Sequence, residues 1–574
     1  MKKLLYFMKD YKKESVLAPL FKMLEAFFEL FVPLVVASII DDGIILKNQS
    51  HIIKMCLLLL LLAAVGLTCS ITAQYFAAKS AVGAATGIRY ELFTHIQTLG
   101  YEEMDTIGTT LITRMTSDIN QVQNGINLVL RLFLRSPFIV FGAMIMAFTI
   151  DVKAAMIFVV AIILLSIVVF GVMFITKPLY KKVQAGLDTI LGTTRENLTG
   201  VRVIRAFHQE QAEYEKFFSQ NEQLTLLQKL AGKISGLTNP LTFVIINFAI
   251  LVLIHTGAVR VSLGTLSQGQ VVALYNYMSQ ILVELIKLAN LIISVTRAMA
   301  CFNRIQDVFS IEPSMKEGNE KSTNIRNDVP AVEFKNVSFT YAGGGDHAIE
   351  NISFKAMAGQ TIGIIGGTGS GKSTLVNLIP RFYDATEGEI DIAGENVREY
   401  TYESLRKMIS VVPQKAQLFA GTIRDNLMFG CPDATEEQIE EALVISQAKE
   451  FVDTKEGRLD AVVEQGGKNL SGGQRQRLTL ARALVPQSDI LIMDDSASAL
   501  DYATDAKLRK AIQNMKRKPT VFIVSQRTSS IQDADSILVL DDGKIAGKGT
   551  HEELIASCDI YREIYETQFK KEEA

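Results

Sequence analysis

The sequence predicts an all-α membrane domain of six helical spans, followed by a soluble domain of the α/β class. The chain has 574 residues and is 48% hydrophobic, with its long apolar stretches gathered in the first half. After about Ile311, short β-branched runs alternate with helical patterns, which is the rhythm of a mixed α/β fold. A chain of this length also exceeds what one compact core supports, so at least two domains are expected.

Six stretches are apolar and long enough to cross a bilayer, which requires about 20 residues of helix. They lie approximately at 16–40, 52–76, 133–150, 154–175, 241–261 and 271–295. A large buried helical bundle is the alternative. However, the runs Cys56–Leu67 and Met156–Ile175 are apolar on every face, which favours membrane spans. The sequence therefore predicts a transmembrane domain over residues 1–310.

Short and long connections alternate along this domain. The long segments after the second and fourth spans are polar, helical in pattern and rich in Lys and Arg, as is the N-terminus. The positive-inside rule therefore places both termini and both long segments in the cytoplasm. If each long segment folds back as a helical hairpin, it extends on the order of 35–40 Å from the membrane. Thr106–Gly108 and Phe207–Glu210 are the predicted turns.

Charge and cysteine usage exclude other classes of function. Lys and Arg number 58 against 61 Asp and Glu, a net charge of −3, so no basic field indicates a nucleic-acid partner. The five scattered cysteines have no His at ligand spacing, which argues against a disulfide framework or a zinc site. Residues 311–330 are polar without an apolar period and are interpreted as a linker, which leaves residues 331–574 for the soluble domain.

The soluble domain contains several predicted strands with high β-branched content. They are Val332–Phe334, Gln360–Ile365, Ser410–Val412, Ile490–Met493, Val521–Val524 and Ser536–Leu540.

A glycine-rich loop between one of these strands and a predicted helix matches the pattern GxxxxGK[ST]. The loop residues are Gly366, Gly367, Thr368, Gly369, Ser370, Gly371, Lys372 and Ser373, and Thr374 follows in the helix. Glycines let backbone N–H groups turn toward phosphates, and the helix N-terminus adds partial positive charge. Lys372 then reaches the terminal phosphates and Ser373 can hold Mg²⁺. The loop predicts a nucleotide site.

The apolar strand Ile490–Met493 delivers Asp494 to the carboxyl end of the sheet. A carboxylate at the end of a buried strand is costly unless a positive charge lies beside it, and Mg²⁺ supplies one. The alternative is an aspartate that caps a turn. Because the P-loop occurs in the same domain, the Mg²⁺ role is favoured.

The run Leu470-Ser471-Gly472-Gly473-Gln474 resembles the signature of ATP-binding cassette (ABC) proteins, although a plain glycine-rich helix start is the alternative. The resemblance covers the whole chain, since six spans followed by one cassette is the layout of an ABC exporter half-transporter. It implies that ATP is the nucleotide and that Ser471–Gln474 close over ATP held by an opposite subunit.

The resemblance assigns further roles in the cassette. It implies that Tyr341 stacks on adenine and that Gln414 lies in a loop that touches Mg²⁺ and faces the membrane domain. Ser498–Asp501 match the D-loop. By position, Thr106–Arg114 and Phe207–Glu213 correspond to the intracellular loops that convey closure of the cassettes to the spans.

Two positions depart from the family pattern. Asp495 stands where the family has a Glu that polarises the attacking water, and Gln526 stands at the position of the switch His. Aspartate is one methylene shorter, which withdraws its carboxylate by roughly 1 Å and can cost on the order of 10²-fold in rate. Glutamine can bond the γ-phosphate, but it carries no charge and relays no proton. Slow hydrolysis is expected at this site.

These features resemble heterodimeric bacterial multidrug-type exporters with one degenerate site. In this interpretation the intact signature completes a competent site on a second half-transporter, which carries the Glu and the His. The expected cargo is an amphipathic or lipophilic small molecule that crosses the bacterial plasma membrane. The alternatives are a homodimeric exporter with weak ATPase activity, or an ATP-gated channel or regulatory ABC protein. An importer is disfavoured because family importers generally keep spans and cassette on separate chains.

Groups of charged residues lie within the first and the sixth predicted spans. Lys22, Glu25 and Glu29 recur near helical spacing in the first, and Glu284 and Lys287 lie three apart in the sixth. Such charges usually face protein or a water-filled cavity. The sequence leaves two interpretations open, namely contact with cargo, or pairing of Glu284 with Lys287 and a position near an interface for Lys22 and Glu25.

Overall fold

The computed structural model describes residues 2–320, 328–496 and 500–569. It contains two compact units. The first consists of Met1–Gln97 and Thr109–Ile311, and the second of Thr98–Gly108 and Glu312–Ala574.

In the described part of the chain, six long apolar helices can cross a membrane, which confirms the predicted fold class. These helices, called spans 1 to 6 below, are Lys9–Ile45, Gln49–Thr98, Thr110–Ile150, Val152–Thr199, Glu210–Ser262 and Gln268–Phe309. They exceed the predicted apolar stretches because polar helix continues beyond the membrane-spanning part. Their α-helical segments, with the short N-terminal helix, are Lys2–Phe7, Lys12–Glu29, Val32–Ser38, Gln49–Thr98, Tyr101–Thr113, Ile119–Leu132, Arg135–Ile150, Val152–Thr199, Val201–Ala206, Glu210–Gly236, Thr238–Ser262 and Gln268–Phe309.

Small residues let these helices approach closely. A Cβ atom added to Gly125 of span 3 would lie 2.3 Å from the Cβ of Ala298 in span 6. Ala73, Ala77 and Ala81 of span 2 are fully or almost fully buried. Helix association in a bilayer relies on such backbone proximity, because lipid tails are as apolar as the side chains they would replace.

The predicted turn at Thr106–Gly108 is wrong, and the predicted turn near Phe207 is confirmed. The helix Tyr101–Thr113 runs through the first of these positions, and the chain turns instead at 99–100. Glu103 Oε2 accepts a hydrogen bond of 2.8 Å from the Gly100 N–H, so this carboxylate caps the start of the helix. At the second position, the helix Val201–Ala206 ends before Phe207 and the next begins at Glu210.

The second unit contains a predominantly parallel sheet. Among the described residues its strands follow the spatial order Lys544–Gly549, Ser536–Asp541, Thr361–Gly366, Thr520–Val524, Ile490–Asp494 and Ile409–Val412, with only the first of these antiparallel to its neighbour. The helices of this unit after the linker are Lys372–Leu378, Tyr402–Met408, Ile423–Leu427, Glu436–Ile445, Lys449–Asp453, Gly472–Leu484, Tyr502–Gln513, His551–Ser557 and Asp559–Phe569.

An antiparallel sheet packs beside the parallel one. Its strands lie in the order Ile349–Met357, Pro330–Phe339, Glu387–Ile392 and Glu395–Asn396, and a separate short pair joins Gly421–Thr422 to Val462–Val463. A shared apolar core contains Phe334 and Phe354 from the antiparallel sheet and Phe522 from the parallel sheet.

Parallel register places the functional candidates at one edge of the sheet. Val524 pairs with Ile364 on one side and with Asp494 on the other. One of these strands leads into the P-loop, one into Asp495 and one toward Gln526. Their carboxyl ends therefore meet at the same edge of the sheet.

Candidate nucleotide site

The P-loop connects the strand Thr361–Gly366 to the helix Lys372–Leu378. Gly369 and Gly371 have φ angles of +85° and +91°, a conformation that glycine adopts without steric cost. At Gly366 an added Cβ would lie 2.1 Å from the carbonyl oxygen of Leu540, so the loop passes too close to the neighbouring strand for a side chain. These positions explain why a glycine-rich loop forms here.

Lys372 lies folded back on this loop. Its Nζ donates hydrogen bonds of 3.0 Å to Gly366 O and 2.5 Å to Gly367 O. Burial lowers the pKa of Lys372 below its ordinary value, and Asp494 and Asp495 offset part of that effect. A phosphate near the loop would give the buried ammonium a charged partner in place of carbonyl groups. Gly367, Thr368 and Gly369 are exposed at the top of the loop, whereas Ser370 is buried.

Ser373 and Asp494 contact each other beside the P-loop. Ser373 Oγ donates to Asp494 Oδ1 at 3.1 Å. Burial raises the pKa of Asp494, and the neighbouring carboxylate of Asp495 adds to the increase. A hydroxyl and a carboxylate are among the hard oxygen ligands that Mg²⁺ prefers, and the amide of Gln414, which bonds Asp495, can add a further oxygen. The donor set fits Mg²⁺, which would also compensate the buried negative charge.

Asp495 occupies an unusual backbone conformation directly after the strand. Its φ angle is +45°, and its N–H donates to Val524 O at 3.0 Å. Burial raises the pKa of Asp495, while the Gln414 side-chain hydrogen bond and the Arg527 guanidinium offset part of the increase. The structure therefore brings Asp495 and Gln414 into direct contact.

Gln526 is exposed at the end of the adjacent strand, and its carbonyl oxygen accepts a 2.7 Å hydrogen bond from Gln568 Nε2. Gln568 Oε1 also accepts from the Thr528 N–H and hydroxyl, each at 2.9 Å. Sequence reasoning missed both Gln568 and Arg527. The position of Arg527 next to Gln526 was a usable signal, whereas no local pattern marks Gln568, which lies on a distant helix.

Tyr341 lies at the edge of the site. Its ring is 37% exposed, and its hydroxyl forms a 3.1 Å hydrogen bond with Thr374 Oγ1. Tyr383, also missed from the sequence, meets the Tyr341 ring edge-on at 5.4 Å and donates a 2.7 Å hydrogen bond to Asp105. Burial, together with this bond, raises the pKa of the Tyr383 phenol. The segment Thr98–Gly108 is thereby linked to the helix that follows the P-loop.

The signature loop begins the helix Gly472–Leu484. Ser471 Oγ accepts from the Gln474 N–H at 3.2 Å, and Gln474 Oε1 accepts from the Ser471 N–H at 3.0 Å, which is a reciprocal capping box. Ser471 and Gly472 are exposed, and Gly473 and Gln474 are partly buried. A Cβ added to Gly472 would meet open space within 4 Å. The loop is ordered by its own bonds and presents its tip to solvent.

The D-loop match is partly outside the described residues, since Ser498 and Ala499 are not among them. Asp501 caps the helix Tyr502–Gln513, with its Oδ1 accepting from the Thr504 N–H at 2.8 Å.

Comparisons with known proteins show the family of this chain. A family described as the ABC transporter transmembrane region matches residues 15–285, and one described as ABC transporter matches residues 349–498. An uncharacterized ABC transporter ATP-binding protein of Bacillus subtilis, YfiB, is 35% identical over 573 residues, which cover 100% of this chain and 99% of YfiB. The chain belongs to the ABC transporter family.

Two other similarities place this ABC transporter among exporter half-transporters. The ATP-dependent lipid A-core flippase of Escherichia coli is 30% identical over 562 residues, with 97% of this chain and 96% of the flippase covered. The structure of a bacterial Atm1-family ABC exporter with ATP bound has the same fold, with a TM-score of 0.77 at 22% sequence identity. The match covers 97% of this chain and 98% of the exporter chain. This ABC transporter is therefore a multi-pass membrane protein with an ABC ATPase domain.

As the pH falls, Mg²⁺-dependent nucleotide binding by this ABC transporter is expected to weaken. The loss should begin at a pH above about 3.9, the pKa of an ordinary aspartate. Burial raises the pKa of Asp494 and of Asp495, so both gain a proton at a higher pH than usual. A protonated carboxyl group is a poor Mg²⁺ ligand. Binding of a fluorescent ATP analogue should be measured across pH with and without Mg²⁺. Asp494→Asn should lose the Mg²⁺-dependent part at every pH, and an unchanged dependence in that variant would contradict the assignment.

Proposed function

We propose that this chain is the degenerate-site half of a heterodimeric exporter, which uses ATP to move amphipathic or lipophilic small molecules across the bacterial plasma membrane. One observation supports this proposal most strongly. The cassette keeps an intact P-loop and an intact signature loop, but it has Asp495 and Gln526 at the two positions that the family uses for hydrolysis. ATP-driven export is supported by the family, and the finer assignments rest on the residues described above.

ATP is held, in this proposal, by the exposed tip of the P-loop, with Lys372 released from its carbonyl partners to bind the β- and γ-phosphates. Ser373 and Asp494 hold Mg²⁺, with Gln414 as a further ligand. Tyr341 stacks on the adenine, and its exposed ring leaves room for this contact. When bound, Mg²⁺ neutralises the phosphate oxygens on which charge develops.

Hydrolysis at this site is slow because Asp495 is short and already engaged. Its carboxylate is bonded by Gln414 and faces the positive charge of Arg527. Burial raises the pKa of this carboxyl, but both contacts hold the carboxylate in place, so it must give up a partner to bond an attacking water. Gln526 offers a neutral amide in place of an imidazole. The site is therefore suited to binding ATP for longer than one catalytic cycle.

The partner is a second ABC half-transporter with a competent site. The exposed tip of Ser471–Gln474 is available to close over the γ-phosphate of ATP bound to that partner. The partner carries Glu and His at the positions of Asp495 and Gln526 in this chain.

Coupling between ATP and the spans begins at the segment Thr98–Gly108. Within the second unit, Tyr101 stacks on Phe382 with ring centroids 4.4 Å apart, and Asp105 bonds Tyr383. These contacts bring the segment close to the aromatic group that includes Tyr341. Both termini and the cassette lie in the cytoplasm, as the distribution of basic residues supports.

Uptake into inverted membrane vesicles tests this function. Vesicles that contain the chain and its partner should accumulate a fluorescent amphiphile only when ATP is supplied. Lys372→Ala should abolish ATP binding at this chain's own site and lower uptake, while the total protein in the membrane stays constant. A nucleotide-gated ion current without accumulation would instead support the channel alternative. Brisk ATP-dependent accumulation by this chain alone would support the homodimer.

A further inference from the structure

A cluster of charged side chains lies inside the membrane domain between spans 1, 3 and 6. Arg135 is central, with Nη1 donating to Glu284 Oε1 at 2.7 Å and Nη2 donating to Glu29 Oε2 at 2.8 Å. Glu284 also accepts from Lys287 Nζ at 2.8 Å and from Ser136 Oγ at 2.7 Å. The pairing of Glu284 with Lys287, which the sequence left open, is thus present, and Glu284 also bonds Arg135 and Ser136 of span 3.

Lys22 and Glu25 extend this cluster within span 1. Lys22 Nζ donates to Glu25 Oε2 at 2.6 Å and to Ser70 Oγ at 2.9 Å, and Glu25 Oε1 lies 3.9 Å from Arg135 Nε. The cluster therefore balances three cations against three carboxylates, namely Lys22, Arg135 and Lys287 against Glu25, Glu29 and Glu284. Its formal net charge is zero.

A break in span 1 positions Glu29. The helix Lys12–Glu29 ends there and the next begins at Val32. Pro33 has no N–H to donate to the Glu29 carbonyl four residues earlier, so the helical ladder is interrupted. Tyr277 of span 6 donates its hydroxyl to Leu30 O at 2.5 Å and holds the break against the neighbouring helix.

Part of the cluster faces a cavity of about 420 Å³, whose polar lining includes Glu29, Asn276, Ser279, Gln280 and Lys287. The side chains of Glu29 and Lys287 are 38% and 42% exposed, whereas that of Arg135 is 9% exposed. The walls thus offer a partly exposed carboxylate and a partly exposed ammonium to an occupant.

A second, apolar cavity of about 650 Å³ also borders spans 3 and 6. Leu288 and Leu291 of span 6 line it, directly after Lys287, together with Leu130 and Phe133 of span 3. A charged cavity and an apolar cavity that border the same helices match a molecule with a polar headgroup and a hydrocarbon chain.

We propose that the polar cavity binds the headgroup of a zwitterionic amphiphile, with its ammonium against Glu29 and its anionic group against Lys287. The hydrocarbon chain occupies the apolar cavity. This inference rests on the proposed export of amphiphiles and names their charge class. A headgroup of one sign would meet a like charge on one wall, whereas a zwitterion meets opposite charges on both. A neutral headgroup would gain neither of these charge-assisted contacts, while Glu29 and Lys287 would keep their partners Arg135 and Glu284.

Equilibrium binding to the full-length chain in lipid nanodiscs tests this proposal without requiring ATP hydrolysis. Three radiolabelled single-chain amphiphiles of equal chain length are compared: zwitterionic lysophosphatidylethanolamine, anionic lysophosphatidylglycerol and a cationic alkylamine. The zwitterion should bind about tenfold more tightly than either charged amphiphile. Lys287→Gln removes the positive charge that repels the cation, so the cationic alkylamine should bind more tightly to this variant. Glu29→Gln removes the negative charge that repels the anion, so lysophosphatidylglycerol should bind more tightly.

Lys79→Gln is the matched control, because Lys79 is 47% exposed and lies 2.8 Å from Glu14, an arrangement similar to that of Lys287 with Glu284 but outside the cavity. It should leave the preference unchanged. Lys287→Arg and Glu29→Asp keep the charges and should keep the preference, which separates charge from misfolding. Equal binding of all three amphiphiles by the unaltered chain, or selectivity unaffected by both charge-removing variants, would overturn the proposal.

The outcome is separable from that of the transport experiment. Selective binding without ATP-dependent accumulation would refute export but support the charge class. Accumulation of amphiphiles with no preference for zwitterions would support export and refute the charge class.

Discussion

The double variant Asp495→Glu, Gln526→His is expected to raise ATP hydrolysis by the purified chain about a hundredfold. In a dimer of this variant, each copy supplies a complete P-loop and an intact signature loop. The dimer would therefore have two ATP sites, each with Glu at position 495 and His at position 526. The longer Glu extends its carboxylate toward the attacking water, and His restores a group that can carry charge. Phosphate release at saturating Mg²⁺-ATP is the measurement.

The single variants are controls for this gain. Asp495→Glu alone should recover part of the activity, and Gln526→His alone should recover less, because a general base contributes more than a hydrogen-bond partner. The φ angle of +45° at residue 495 suits Asp better than Glu, so a small loss of stability is expected and should be measured by thermal unfolding. An unaltered chain that already hydrolyses ATP as fast as the double variant would contradict the degenerate-site assignment.

Gly472→Asp is expected to lower ATP hydrolysis by the assembled transporter about a hundredfold or more. Gly472 stands at the exposed tip of the signature loop, where the proposed partner's ATP would place its γ-phosphate. An aspartate there sets a negative charge against that phosphate. Steady-state ATPase activity of the purified assembly is the measurement.

The fold of the cassette should tolerate this change. A Cβ on Gly472 meets open space within 4 Å, and an acidic residue in the first turn of a helix is stabilising. Gly472→Ala, which adds bulk without charge, should retain more activity than Gly472→Asp. If both variants kept full activity, the signature loop of this chain would have no role in hydrolysis.

The parallel sheet and the P-loop were predictable because their signals are local. Buried parallel strands such as Ile490–Asp494 are continuous apolar runs, and the P-loop pattern spans only a few residues. The antiparallel strand Ile349–Met357 escaped prediction, since it alternates buried and exposed residues and includes charged side chains. Because one face of such a strand is in contact with solvent, only about every second residue is apolar, and the apolar run that marks a buried strand is missing.

Contacts between distant segments were not predictable from the sequence. The charges at Glu29 and Glu284 were evident, but their common partner Arg135 lies on a different helix, near the start of the predicted apolar stretch 133–150. Gln568 reaches Gln526 and Thr528 only because the last described helix folds against the switch loop. The turn was predicted at Thr106–Gly108 but lies at 99–100, where the Glu103 side chain caps the start of the helix Tyr101–Thr113.

In the proposed division of labour, this chain mainly binds ATP while its partner half-transporter hydrolyses it. The most direct test compares the purified heterodimer that contains Asp495→Asn with the heterodimer that contains the unaltered chain. If this chain mainly binds ATP and its partner hydrolyses it, removing the Asp495 charge should change the steady-state ATPase rate by less than about twofold. A fall on the order of a hundredfold, which is typical of losing an essential catalytic group, would show that this chain's own site is the one that hydrolyses ATP.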